Sequence, residues 1–293
     1  MQASQTLKED GPVVSEALPE HLPRADTQAG DLDAAIAHAM LGGKRLRGVL
    51  VRQAAVTFGL DAATVMPTAC AFEMLHAATL VHDDLPSIDD SDLRRGRPSC
   101  HAAFGDATAL LAGDALIIGA FAALAAQAET VDAARVVRVI DEFADFTGAA
   151  GLIGGEQADI VGENLDPDAD LLRYIHINKT AKLICAACRA GAILAGASEQ
   201  DLATISEYGM SVGLLFQVTD DILDVVGDEE VLGKPTGADD EAGKQTWPAI
   251  WGLEGAHDEA RRLASDAAEL AARLPAETEF WTTLPDLVVN RDK

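Results

Sequence analysis

Two clusters of aspartates constrain the fold of this chain more than any other feature of its sequence. The first lies in LVHDDLPSIDDSDLRRGRP, residues 80–98, and the second in FQVTDDILD, residues 216–224. Carboxylates this close repel one another and raise one another's pKa values unless a cation neutralises them. Each cluster therefore costs stability unless a cationic partner is present, and each is a candidate half of a binding site.

The rest of the sequence predicts helices. Aromatic residues make up only 4% of the chain, and alternating β-branched runs are scarce. Breaks such as FGLDAAT, RRGRPSC and GENLDPD are too short to be domain linkers. We expect an all-α protein with one domain over residues 31–293, preceded by a weakly periodic segment, residues 1–30, that is a loose helix or partly disordered. Candidate helices cover residues 31–40, 46–58, 67–82, 107–126, 133–147, 149–161, 167–179, 180–194, 199–225, 246–253 and 257–274.

The formal net charge of −26 argues against partners that are themselves anionic. Nucleic-acid phosphates and anionic membranes would be repelled, but an anionic small molecule could still bind a local basic patch. Two such patches exist, because basic residues concentrate in GGKRLRGVLVR, residues 42–52, and in RRGR, residues 94–97. We therefore expect no nucleic-acid partner and no stable membrane insertion.

The remaining compositional features favour a cytoplasmic protein. The four cysteines form no disulfide framework, and CAAC, residues 185–188, lies in an Ala-rich helical pattern that favours core packing over redox chemistry or metal binding. The N-terminus lacks the basic and apolar runs of an export signal. The most apolar stretch, ALIIGAFAALAAQA, has about 14 residues against the roughly 20 that span a bilayer, so we expect a buried core helix.

Local geometry places the acidic side chains. Asp220 and Asp224 are four apart on a helical segment and share a face. Pro86 ends the preceding helix near Asp84, where carboxylates oppose the helix dipole unless a cation is bound. Oxygen donors without His or Cys suit Mg²⁺, which commonly shares one or two carboxylates with substrate phosphates. Neither an EF-hand nor a P-loop spacing is present.

Five motifs in a fixed order carry a family resemblance. GGKRLR, HDDLPSIDDSDLRRGRP, NKT, FQVTDDILD and LGKPTGADDEAGKQTWPA resemble those of the trans-isoprenyl diphosphate synthase (polyprenyl synthetase) family, from about residue 32 to the closing VVNRDK. The resemblance implies a bundle of mostly antiparallel helices around a central cavity, a homodimer, and two Asp-rich motifs that face each other. It also implies a head-to-tail condensation of isopentenyl diphosphate with an allylic diphosphate to give a short-chain product.

The resemblance assigns roles to individual residues. It implies three Mg²⁺ ions bound by Asp83, Asp84, Asp89, Asp220, Asp221 and Asp224. It places Arg94, Lys179 and Lys234 on the allylic diphosphate, and Thr180, Gln217 and Lys244 at the reacting end. It places Lys44, Arg47, His76 and Arg95 on isopentenyl diphosphate. The roles of Asp90, Asp92, Asp239 and Asp240 stay open.

Product length depends, in this family, on the side chains just before the first aspartate. Ala78 and Thr79 occupy the two positions that form the floor beneath the growing chain. Neither is bulky, so C20 geranylgeranyl diphosphate is the expected product. C15 farnesyl diphosphate is the alternative, because a neighbouring helix can also supply the floor.

Other interpretations have specific signatures. A terpene cyclase also has an Asp-rich helix, but its second motif normally mixes Asn, Ser and Glu, unlike DDILD. A catalytically silent partner subunit would have lost an Asp motif or the basic contacts, and both are intact in this sequence. Gly48 departs from the commoner GGKRLRP but removes no ligand. His76 taken alone would be interpreted as a core histidine.

Overall fold

The chain folds into helices wherever its apolar residues recur at helical spacing. The computed structural model describes residues 2–226, 243–276 and 279–291. Its helices in chain order are α1 (Ala3–His21), α2 (Leu32–Ala39), α3 (Leu46–Thr57), α4 (Met66–Asp83), α5 (Cys100–Phe104), α6 (Asp106–Ala126), α7 (Ala133–Thr147), α8 (Leu152–Gly162), α9 (Ala169–Ile175), α10 (Lys182–Ala195), α11 (Glu199–Val226), α12 (Trp247–Ala271) and α13 (Glu279–Val289).

Three irregular elements interrupt the helices. A turn of π-helix, His176–Ala181, joins α9 to α10, and α12 is broken at Gly252, whose φ is 72°. The described residues contain one small antiparallel hairpin, with β1 (Leu93–Arg94) and β2 (Arg97–Pro98) paired. Its two turn residues both have positive φ, 54° at Arg95 and 71° at Gly96. Such two-residue turns match the twist of the paired strands, and this one places Arg95 at the hairpin tip.

Helix packing produces one core. Helix α4 packs on α6, α10 on α3 and α11, and α11 on α12. Edge-to-face contacts join Phe72 to Phe143 and Phe143 to Phe121, with ring centroids 5.1 and 5.3 Å apart. The buried apolar cluster extends from Ala3 in α1 to Val288 in α13. The all-α prediction is confirmed.

Residues 3–21 are more ordered than their sequence indicates. Helix α1 runs through Pro12 and packs on α3, α4 and α13. Its buried side, which includes Ala3, Val14 and Leu18, follows a helical spacing. Of the two alternatives expected for this segment, a helix is therefore the one observed over residues 3–21. Tertiary contacts stabilise a helix that two prolines and a glycine make weak in isolation.

Helix α6 is more exposed than expected. With the turn that follows it, Asp106–Glu129 is long and apolar enough to cross a membrane, as is Ala62–Asp83, but by length and composition only. The most apolar window of Asp106–Glu129 is 44% buried, so one face packs in the core and another is exposed. Leu111 and Ile118 on that outer face are 55% and 69% exposed. The prediction of a buried core helix holds for one face of α6.

The four cysteines are free and buried. Burial raises the pKa of the Cys185 thiol to about 12 and that of Cys188 well above its ordinary value. A thiol that stays protonated is a poor nucleophile and a poor metal ligand. The core-packing interpretation of CAAC is confirmed.

Candidate active site

The first aspartate cluster lies where α4 ends and the chain folds back over its last turn. Asp83 is the last residue of α4, and Pro86 prevents the helix from continuing. The backbone N–H of Asp89 donates to the carbonyl of Asp83 at 2.8 Å, and that of Ser91 donates to the carbonyl of Asp84 at 3.1 Å. These bonds return Asp89 to the end of the helix, beside Asp83.

Asp83 lies in a surplus of negative charge. Burial, together with the carboxylates of Glu156 and Asp89, raises the pKa of Asp83 to about 7 against the opposing charge of Lys179. A divalent cation would relieve this repulsion, and a donor set of carboxylate oxygens fits Mg²⁺. Among residues 2–226, 243–276 and 279–291, no three Asp, Glu, His or Cys side chains form a cage for an ion.

Basic side chains neutralise the rest of this cluster. Both Nε and Nη2 of Arg94, from the hairpin, donate to Oδ1 of Asp84. Burial raises the pKa of Asp84, and the Arg94 guanidinium offsets part of that rise. Nζ of Lys244, just before α12, lies 3.0 Å from Oδ1 of Asp89. Arg94 and Lys244, predicted from separate motifs, therefore meet the first cluster.

Lys179 lies in the π-helical turn, opposite Asp83. Its Nζ is 2.6 Å from Oδ2 of Asp159 and 2.8 Å from Oε2 of Glu156, both on α8. Burial lowers the pKa of Lys179, but the two carboxylates outweigh it and the pKa lies above the ordinary lysine value. Lys179 is therefore a fixed positive charge beside the first aspartate cluster.

Glycines allow neighbouring helices to approach this turn closely. A Cβ on Gly155 of α8 would lie 2.2 Å from the backbone nitrogen of Lys179. A Cβ on Gly213 of α11 would lie 2.4 Å from Cα of Ala181. Because real Cβ atoms do not approach so closely, the turn fits only between two glycine-bearing helices, and α8 and α11 set its position.

The second aspartate cluster lies on the other side of the turn. Thr180 Oγ1 donates to Gln217 Oε1 at 2.8 Å, and Gln217 Nε2 donates to Asp221 Oδ1 at 3.1 Å. The backbone N–H of Trp247 donates to Asp221 Oδ2 at 2.8 Å, and His176 Nε2 is 3.3 Å from the same oxygen. The π-helical turn thus connects Lys179, beside the first cluster, to the second cluster through Thr180.

The aspartates of the two clusters differ in accessibility. Asp84, Asp221 and Asp224 are only 2–3% exposed, whereas the Asp220 side chain is 47% exposed. Oδ1 of Asp220 accepts a hydrogen bond of 2.6 Å from Arg291, whose guanidinium lies 3.7 Å from the centroid of the Phe216 ring. Asp83, Asp89 and Asp220 are therefore the carboxylates of the predicted set with surface available to a ligand.

A basic group assembles around the GGKRLR loop. Arg95, at the hairpin tip, lies over Gly43, where a Cβ would be 2.8 Å from its Nη1. Burial lowers the pKa of Arg47 to about 10. Burial and the nearby charges of Arg47 and Arg95 hold the pKa of His76 well below its usual range, so the imidazole is neutral at neutral pH. The first turn of α3, the hairpin and α4 thus bring Arg47, Arg95 and His76 together next to Lys44.

The chain-length positions differ in burial. Ala78 is 0% exposed. Thr79 is partly exposed, and its Oγ1 donates to the carbonyl of His76 at 2.9 Å. Four residues separate Thr79 from Asp83, so these two share a face of α4, whereas Ala78 projects into the packed interior. The role of either residue as a floor stays a prediction.

Three charged residues of the site were not predicted from the sequence. Glu156 and Asp159 are three apart on α8, an acidic pair that by itself is typical of a solvated helix face. Arg291 lies near the end of the chain, outside every motif. The available signal in α8 was this acidic pair next to two glycines, Gly154 and Gly155. Nothing in the sequence indicates that Lys179 is the partner of the pair. Lys234, Asp239 and Asp240 lie outside the described residues.

Comparisons with known proteins agree on one family. The polyprenyl synthetase family model matches residues 30–277. Farnesyl diphosphate synthase of Escherichia coli (strain K12) is 46% identical over 87% of each chain. Geranylgeranyl diphosphate synthase of Cyanophora paradoxa is 39% identical over 86% of this chain and 84% of its own. A solved structure of a Helicobacter pylori geranyltransferase, complexed with magnesium and isoprenyl diphosphate, has a TM-score of 0.85 and 29% identity over 98% of this chain and 96% of its own.

Proposed function

The chain belongs to the polyprenyl synthetase family and is a short-chain prenyltransferase, and we propose that it condenses isopentenyl diphosphate with allylic diphosphates in a Mg²⁺-dependent reaction whose main product is C20 geranylgeranyl diphosphate. One observation carries the proposal. The turn that bears Lys179 and Thr180 lies between the two aspartate clusters, so fixed positive charge and accessible carboxylates share one site. A diphosphate and its metal ions are the ligand class that needs both.

The allylic diphosphate is proposed to bind between the clusters. Lys179, Lys244 and Arg94 are each paired with a carboxylate. An incoming diphosphate offers these cations new partners, while Asp83, Asp89 and Asp220 would hold Mg²⁺, with three ions per site. When bound, Mg²⁺ supplies neutralisation of the charge that develops on the leaving diphosphate.

The reaction needs ionisation rather than a nucleophilic side chain. The allylic C–O bond breaks, its electron pair leaves with the diphosphate, and the alkene of isopentenyl diphosphate attacks the allylic carbon. Lys179 and Lys244 stabilise the departing charge from fixed positions, an effect that is large in a site closed to water. Thr180 and Gln217, already hydrogen-bonded to each other, line the reacting end. The attack forms the new C–C bond and a tertiary carbocation, which loses a proton to the departing pyrophosphate and so forms the new alkene.

Isopentenyl diphosphate is proposed to bind the basic group around Lys44. Arg47 and Arg95 are guanidinium groups that match phosphate oxygens in pairs. His76 is neutral beside them and can donate one N–H to a phosphate oxygen without adding charge. This basic group is distinct from the cations Lys179, Lys244 and Arg94, so each of the two diphosphates would be held by its own set of cations.

Product length rests on small side chains before the first cluster. Ala78 and Thr79 are smaller than the aromatic residues that would block a growing chain, which supports C20. C15 farnesyl diphosphate remains the alternative, and relatives named for either product resemble this chain to a similar degree. Incubation with Mg²⁺, isopentenyl diphosphate and, separately, a C5, C10 or C15 allylic diphosphate is the test. A C20 limit from every starter supports the proposal, and a C15 limit makes the alternative correct.

A cytoplasmic homodimer completes the proposal. Leu111 and Ile118 are seven residues apart on one exposed face of α6, and Leu110 beside them is 47% exposed. On a chain with a net charge of −26, such an apolar face supports contact with a second copy. Four free, buried cysteines fit a reducing compartment. Sedimentation tests the dimer, which Ile118→Asp should dissociate.

A further inference from the structure

Helix α1 precedes the region that the family model matches, yet it contacts the loop that carries Lys44. The matched region begins at residue 30, and α1 ends at His21. A Cβ on Gly11 of α1 would lie 3.1 Å from the carbonyl oxygen of Lys44. The helix is therefore packed directly on the backbone of this loop.

Arg45 joins the same loop to α1 through its side chain. Its Nε donates to Ser15 Oγ at 2.9 Å, and its Nη2 donates to the carbonyl of Met40. Arg45 is 8% exposed and has a φ of 56°, a left-handed conformation that is uncommon for a residue with a side chain. A buried guanidinium needs partners for its donors, so these bonds fix both the side chain and the unusual backbone.

The network continues to the helices on which the other basic residues lie. Glu73 Oε2 is 3.7 Å from Nη1 of Arg45, and Glu73 Oε1 accepts a hydrogen bond of 2.9 Å from the backbone N–H of Gly48 in the first turn of α3. Glu73 is 3% exposed and precedes His76 by three residues on α4. A carboxylate at the start of α3 also complements the helix dipole.

A second contact docks α1 on α3. Asp10 accepts hydrogen bonds of 3.1 Å from Arg52 and 2.8 Å from Gln53. Helix α1 is thus held to α3 independently of the loop. A single substitution at the loop contact therefore need not release the whole helix.

We propose that Ser15 and Arg45 are positioning residues, through which α1 holds Lys44 in the orientation that binds isopentenyl diphosphate. The inference rests on the proposed function, because it assigns Lys44 to that substrate. Neither Ser15 nor Arg45 touches the substrate. Their effect is to fix the loop, and loss of that constraint weakens one substrate site and leaves the other intact.

Steady-state kinetics with each substrate varied in turn is the test, on wild type, Ser15→Ala, Ser15→Thr, Gly11→Ala and Thr6→Ala. Ser15→Ala and Gly11→Ala should raise the KM for isopentenyl diphosphate about five- to tenfold, with the allylic KM and kcat within about twofold. Ser15→Thr keeps the hydroxyl acceptor and should restore wild-type values. Thr6→Ala is the control, because among the described residues the Thr6 hydroxyl donates to the carbonyl of Gln2 at the start of α1, away from the Lys44 loop.

Gly11→Ala separates positioning from stability. The helix preference of alanine over glycine opposes the strain of the added methyl against the Lys44 carbonyl, so Tm should change little while KM rises. If Ser15→Ala and Gly11→Ala are active and leave the KM for isopentenyl diphosphate unchanged, or if they change the KM of both substrates equally, this inference is overturned. The proposed function would still stand in that case. A folded wild type that forms no prenyl product would overturn the proposed function, and the inference with it.

Discussion

Replacement of Glu156 by glutamine is expected to weaken the pH dependence of Mg²⁺ binding. In the metal-free protein, burial and the Glu156 carboxylate are the two largest causes that raise the pKa of Asp83 to about 7. A proton and Mg²⁺ compete for the Asp83 carboxylate, so metal binding is linked to proton release. Below pH 7 the proton is mostly bound and must be displaced, whereas above pH 7 the carboxylate is mostly free.

The size of the effect follows from this pKa. With a pKa of about 7, roughly one Asp83 side chain in eleven is ionised at pH 6 and roughly ten in eleven at pH 8. The apparent Kd for Mg²⁺ should therefore fall about tenfold from pH 6 to pH 8. Glu156→Gln removes the strongest neighbouring charge that raises the pKa, so this ratio should move towards one.

Isothermal titration calorimetry of the metal-free protein with Mg²⁺ measures both quantities. Titrations at pH 6, 7 and 8, in buffers of different ionisation enthalpy, give the affinity and the number of protons released. Asp159→Asn is the matched control. Asp159 lies on the same helix as Glu156 and also pairs with Lys179, but it is not among the main charges that act on Asp83. An undiminished tenfold ratio in Glu156→Gln, or equal flattening in the control, would refute this reasoning.

Four further outcomes are expected. The pKa of Asp83 in the folded protein is about 7, above the ordinary 3.8, so folding stability is lost as the pH rises from about 4 to 7. Asp83→Asn should therefore raise the free energy of unfolding, measured without metal, by ~1–3 kcal/mol at pH 8 but not at pH 4. Urea denaturation at the two pH values measures this difference. Asp220→Asn should lower kcat about 10²-fold or more, and a normal rate would argue against its metal role. Lys179→Ala should act mainly on the KM of the allylic substrate and Lys44→Ala on that of isopentenyl diphosphate, and identical effects would contradict the division. Ala78→Phe should shift products towards C15 and lower Tm, because a fully buried position has little space for a larger side chain. Chromatography of dephosphorylated products measures the product length, and an unchanged length would contradict the prediction.

Much of the helical framework follows from the sequence because local signals and tertiary packing agree. Periodicity placed α7 at residues 133–147, as observed, and placed α3, α4 and α6 within one residue at each end. Pro86 correctly marked the end of α4 before the first cluster. In such segments the apolar stripe that predicts the helix is the one that the core buries.

Elements that depend on distant contacts were not predicted. Helix α13 contains Pro285 and is held by its neighbours, since Trp281 donates to Thr57 at 2.8 Å and Tyr208 donates to the Trp281 carbonyl at 2.7 Å. The π-helical turn at Lys179 has no local signature, because its position depends on glycines in α8 and α11. A single sequence contains no direct record of such pairings.

The site divides in the same way. The aspartate clusters, the basic loop and the NKT motif are each contiguous in sequence, so the family resemblance could assign their residues before the fold was known. Glu156 and Arg291 were missed because a lone charge has meaning only beside its partner. For Glu156 that partner is Lys179, 23 residues later, and for Arg291 it is Asp220, 71 residues earlier.

The most direct test of the account is the stoichiometry of pyrophosphate release. Purified protein with Mg²⁺ and an allylic diphosphate should release pyrophosphate only when isopentenyl diphosphate is added, one for each isopentenyl diphosphate consumed, and EDTA should abolish the release. A terpene cyclase would release pyrophosphate from the allylic substrate alone, and a silent subunit would release none. Either of those results would contradict the assignment as a prenyl diphosphate synthase.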